Sequence, residues 1–221
     1  MIARSLTLLT LVACYTEDPP TVDNDTWRWF PLNGERTWTY RSDDTTLPYL
    51  LVGSKEDRSE PWGDSTVRIH TITFGYDCQG VGPPCDVDED GEPGPDLNTQ
   101  VAFVWRLSAD SSRGALFHGW DDTTFDPPVK IASASMFEGD EVVTDSAGVT
   151  YRSRYDDQGP CDVPYWRGSP PDDCITFAIE ASGGGSPLNG TLQTIYQFGT
   201  TSFQLGGATA PWKLLDYDDA L

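Results

Sequence analysis

Short segments rich in Thr, Val, Ile, Tyr, Phe and Trp, each bounded by Gly, Pro or Asp, recur from residue 36 to residue 206. None carries a long i, i+3, i+4, i+7 apolar stripe. This pattern writes strands and turns and leaves room for only a few short helices. Ten strands are predicted, over residues 36–42, 48–54, 66–74, 100–107, 115–120, 140–145, 148–155, 174–181, 191–198 and 201–206. Gly and Pro together make up about 17% of the 221 residues, against an average of roughly 12%. The fold class that follows is all-β: an antiparallel β-sandwich or a partly closed barrel, as a single domain over residues 27–221.

Alternation sets the expected faces. In 66–74, Val67, Ile69, Thr71 and Thr73 point one way, and Arg68, His70, Ile72 and Phe74 the other. In 191–198, Leu192, Thr194, Tyr196 and Phe198 alternate with Gln193, Ile195 and Gln197. Trp38 and Trp105 fall inside strand patterns and are expected in the core. The sharpest turn signal is Asp145-Ser146-Ala147-Gly148, between two strand runs.

The first residues, MIARSLTLLTLVAC, combine a basic Arg4 with an apolar stretch from Ser5 to Ala13. That stretch is too short for a bilayer span of about 20 residues. It reads as a secretory signal over residues 1–13. Leu11-Val12-Ala13-Cys14 resembles the lipobox of bacterial lipoproteins. The resemblance implies cleavage before Cys14, acylation of Cys14, and a membrane anchor through lipid alone. Residues 14–26, polar and with a Pro pair, would be the tether.

Five cysteines are present. If Cys14 carries lipid, Cys78, Cys85, Cys161 and Cys174 remain, an even number suited to an oxidising compartment. Three pairings are open. The local one, Cys78–Cys85 with Cys161–Cys174, closes two Pro/Gly-rich loops, worth roughly 2.5 and 3 kcal/mol in the chain-entropy model. The spacings do not suit zinc.

Pro31, Leu32, Gly34, Trp38 and Tyr40 resemble the Pro-Leu-x-x-Gly-x-x-Trp-x-Tyr opening of secreted or lipid-anchored bacterial domains of unknown function. Gly139-Asp140 matches their second strand start, and Tyr196-Gln197-Phe198-Gly199 with Gly206 matches their closing hairpin loosely. The resemblance implies an all-β envelope domain; with the lipid anchor, the expected location is the outer membrane, on either its periplasmic or its surface face. It brings no activity.

Charge narrows the partners. Against 14 Lys and Arg stand 35 Asp and Glu, a net charge of −21. Such a chain is repelled by nucleic acid and by anionic headgroups. The acid is densest in CDVDEDGEPGPD, residues 85–96. Asp86, Asp88 and Asp90 followed by Gly91 give alternate hard oxygens and a turn residue, the start of a calcium loop. Glu92 and Asp96 are the further candidate ligands. Leu97 stands where an EF-hand needs Glu, and Pro93 and Pro95 disturb the second half. The loop is therefore not an EF-hand, and the alternative is a solvated acidic loop. Calcium is the one cofactor suggested, and none is required.

Tyr165, Trp166 and Arg167, between Cys161 and Cys174, are the candidate glycan or partner contact, with Trp62 in a second turn-like segment. His70 and His118 read as ordinary packing or surface residues. No G-x-S-x-G elbow is present, and carboxylate pairs cannot be recognised without their separation. The expected function is a lipid-anchored envelope protein with a non-catalytic structural or binding role. Two alternatives stay open: a polysaccharide hydrolase working through paired carboxylates, and a carrier of an apolar ligand in a half-open barrel.

Overall fold

A computed structural model describes residues 29–30, 36–45, 50–62, 65–77, 100–164, 173–183, 185–196 and 199–219. Among these residues there is no α-helix. Twelve strands are present among the described residues: β1 (Arg36–Ser42), β2 (Leu50–Trp62), β3 (Ser65–Asp77), β4 (Gln100–Asp110), β5 (Gly114–Trp120), β6 (Thr123–Ala132), β7 (Glu141–Ser146), β8 (Val149–Gly159), β9 (Cys174–Ala181), β10 (Gly190–Ile195), β11 (Gly199–Leu205) and β12 (Trp212–Asp219).

They form one sheet in the order β6-β5-β4-β3-β2-β1-β12-β11-β10-β9-β8-β7, and every pair is antiparallel. The chain runs as two meanders, joined where β1 pairs with β12. The sheet curls until its edges meet in a nearly closed barrel. At that junction the Lys130 amide donates to Thr144 Oγ1 at 3.1 Å, and Ser153 Oγ donates to the Ile131 carbonyl at 2.7 Å.

Ten of the strands lie where the sequence places them, β1 and β9 with the predicted bounds and the other eight with shifted ends. The two additional strands are β6 and β12. Pro127 and Pro128 interrupt the alternation of β6, and β12 ends in the acidic run Asp216-Tyr217-Asp218-Asp219. β2 and β3 are also longer than predicted, 13 residues each, because they pair with each other from Leu50↔Asp77 to Trp62↔Ser65.

The inner face is aromatic. Trp105 packs against Phe74, Phe203 and Phe117 with ring centroids 4.5, 5.0 and 5.6 Å apart. Tyr40 joins through Phe203 at 5.2 Å and donates its hydroxyl to the Thr200 carbonyl. Complete burial pushes the Tyr40 phenol far up. Trp38 and Trp105 are core residues, as their strand positions imply. On β3, His70, Ile72 and Phe74 are buried on the inner face, while Val67 and Ile69 are buried on the outer one. The alternation of β10 holds only to Thr194. A register shift between Gln193 and Thr194 lets Ile195 also enter the core.

Ala147 and Gly148 form the two-residue loop of the β7–β8 hairpin, with φ of 50° and 82°. Both central residues are left-handed, which matches a type I′ turn.

Candidate functional site

Two polar constellations stand out on the barrel. The first lies at the foot of the 161–174 loop. Cys161 and Cys174 are joined by a disulfide with Cα atoms 5.0 Å apart, and both are buried. This is one half of the predicted local pairing. Next to it, the Asp162 amide donates to Gln193 Oε1 at 2.7 Å, and Thr201 Oγ1 donates to the same oxygen at 3.2 Å. Gln193 Nε2 donates to Thr176 Oγ1 at 3.3 Å. Lys213 Nζ sits 2.8 Å from Asp162 Oδ2 and 2.5 Å from Asp43 Oδ2. Burial pulls the Lys213 ammonium down, but the hydrogen bonds and charges of Asp162 and Asp43 outweigh it and hold the group above its usual range. Side chains from β10, β11 and β12 thus clamp the root of the loop, so its first residues have little freedom.

The second constellation lies on the outer face of β4 and β5. Ser108 Oγ and His118 Nε2 are 2.7 Å apart. His118 occupies a bulge. The β4 register passes from Arg106↔Gly119 to Leu107↔Phe117 and skips it. The β6 register skips it as well. A bulge re-aims the side chain it carries, and here it brings the imidazole to the Ser108 hydroxyl. Burial, then the charges of Arg113 and Arg106, pull the His118 pKa down to about 4. The ring is therefore neutral at pH 7.

Arg106 passes beside Gly119, where a β-carbon would meet Nη2 at 2.5 Å, Nε at 2.6 Å and the Thr123 carbonyl oxygen at 2.7 Å. Only glycine leaves that room. Arg106 Nη2 donates to the carbonyls of Asp121 and Thr123 at 2.6 and 3.2 Å. Asp121 Oδ1 in turn accepts from the Val104 amide. At the far end of the hairpin, burial tends to raise the Asp110 carboxyl. Hydrogen bonds from the Ser112 hydroxyl and amide and the Arg113 amide, with the Arg113 charge, overcome this and hold it below the usual range.

Ser–His pairs serve as nucleophile and base when a substrate can reach the hydroxyl. Here Ser108 is 2% exposed and His118 7%. The chemistry the pair can perform in this state is mutual satisfaction of two buried polar groups. Sequence reasoning expected His118 to be ordinary and did not single out Ser108. No spacing rule links them, because a bulge and a strand pairing bring them together.

Lys55 is a second residue that sequence reasoning missed. It is buried, and β2–β3 pairing sets it opposite Ile72 on the inner face. The available signal was parity, since Leu51, Gly53 and Lys55 share one side of the strand.

Most of the candidates drawn from sequence lie outside the described residues. These are Cys14, the Cys78 and Cys85 pair, Asp86, Asp88, Asp90, Glu92 and Asp96, and Tyr165, Trp166 and Arg167. Trp62 ends β2, paired with Ser65. Among the described residues no group of three or more His, Cys, Asp or Glu could hold a metal ion. Among them, too, no helix is long and apolar enough to cross a membrane. Comparison with protein families, with curated proteins and with solved structures finds no match for this chain.

Proposed function

We propose that this chain is a lipid-anchored protein of the bacterial cell envelope, and that its barrel is a non-catalytic binding module presenting the 161–174 loop to a glycan or protein partner. The observation that carries the reading is the clamped, disulfide-closed root of that loop. A disulfide persists in an oxidising compartment, which agrees with the signal and lipobox pattern of residues 1–14. A rigid root lowers the ordering cost of binding through the loop above it.

Two further observations favour binding over the alternatives. Two of the described carboxylates, Asp110 and Asp121 beside the Ser108–His118 pair, are engaged by backbone amides, and Asp110 is held down rather than raised as a general acid requires. The inner face is occupied by the rings around Trp105, which favours a packed module over a carrier.

The test has two arms. Cys14→Ser should move the protein from the membrane fraction to the soluble one, and continued membrane retention would overturn the anchor. Titration with soluble peptidoglycan fragments should quench tryptophan fluorescence in the parent, with the quench lost in Trp166→Ala. An equal quench in both would remove the loop from the binding site.

A further inference from the structure

β6 is the least firmly paired strand of the barrel. On the β5 side its ladder runs Trp120↔Thr123, Gly119↔Thr124, then jumps to Phe117↔Val129, Leu116↔Lys130 and Ala115↔Ala132. Phe125, Asp126, Pro127 and Pro128 have no partner on β5. On its other side β6 faces β7 and β8 with no ladder at all. Pro127 and Pro128 have no N–H to offer there. The junction is made by Lys130 N to Thr144 Oγ1, by Ser153 Oγ to the Ile131 carbonyl, and by the Phe125 and Tyr151 rings, 5.8 Å apart. What holds β6 is thus its inward side chains, Phe125, Val129, Ile131 and Ala132, all buried.

Opening free energy varies within a fold and depends both on the backbone hydrogen bonds and on the apolar packing that an opening gives up. Parting the sheet at any of the other eleven junctions breaks a ladder. Parting it at this one breaks two side-chain hydrogen bonds and a ring contact but no ladder, besides the apolar packing that a parting anywhere in the barrel loosens. We propose that β6 is a strap that unlatches along its junction with β7 and β8 while the remaining strands stay paired. Opening uncovers the inner apolar strip of Val129, Ile131 and Tyr151.

Native-state hydrogen exchange on the intact protein tests this. Amides of Lys130, Ile131 and Ala132 should exchange on the order of a hundredfold faster than those of β9, with weak dependence on denaturant. Thr144→Val, alone and with Ser153→Ala, should speed the β6 amides by about tenfold per bond removed and leave β9 unchanged. Thr144 is only half-buried, so its variant should keep the fold even if the double variant does not. The strap is overturned if β6 and β9 exchange together with the same denaturant dependence. It is equally overturned if Thr144→Val speeds both alike.

Discussion

His118 is held neutral by its surroundings, and stability should record that. Its folded pKa is about 4 and its ordinary value 6.5. Below pH 6.5 the unfolded chain takes up a proton at this ring and the folded chain does not. The contribution of His118 to stability is therefore complete above pH 6.5 and is lost as pH falls toward 4. One such group adds a slope of about 1.4 kcal/mol per pH unit in that window. His118→Gln should flatten the curve of unfolding free energy against pH between 6.5 and 4.5, whatever it does to stability at pH 7. Parallel curves for parent and variant would show that the imidazole titrates alike in both states. The composition of this site could not be read from sequence. Arg106, Ser108 and Arg113 lie in or beside β4 and its turn, but their meeting with His118 depends on a bulge that no residue of the segment announces.

At the scale of elements, alternation and turn chemistry did most of the work. β1 and β9 have the bounds the pattern predicts. The β7–β8 turn was legible because Gly148 accepts a positive φ and strand runs flank it. Ala147 is the odd residue there. It is exposed, with φ of 50°, a conformation that costs an L side chain without local compensation roughly 1 kcal/mol. Ala147→Gly should relieve it, and Ala147→Asn should do better, since Asn adopts this conformation with less loss of unfolded-state restriction. A gain of about 0.5–1 kcal/mol is expected in denaturant melts, with an unchanged slope. Loss of stability in both variants would mean that the hairpin is not built around this turn. β6 escaped sequence reading for the opposite reason. Its Pro pair argues against a strand, and only a position at the margin of the sheet, with one ladder to complete, tolerates it. β12 owes its place to β1, whose Trp38 and Tyr40 pair with Tyr217 and Leu214 across a register shift.

The whole molecule combines a tight aromatic core with a net charge of −21. The core explains why the all-β class was legible: inward positions are apolar on nearly every strand, so period-2 patterning survives. The charge makes any cation stabilising to some degree, because screening relieves self-repulsion. A calcium site at residues 85–96 must therefore be separated from screening. The chain from residue 22 onward should be melted in calcium, in chelator, and in sodium chloride matched to the ionic strength of the calcium sample. Asp88→Ala/Asp90→Ala should be melted beside it. A site filled at a hundred times its dissociation constant adds about 2.7 kcal/mol, several degrees for a domain of this size. If Asp86, Asp88, Asp90, Glu92 and Asp96 hold the ion, the calcium shift exceeds the sodium shift in the parent and falls to it in the variant. Equal shifts in calcium and sodium would make the acidic loop a charged surface whose part is solubility. The variant would then melt higher than the parent at low salt, since removing two like charges removes repulsion.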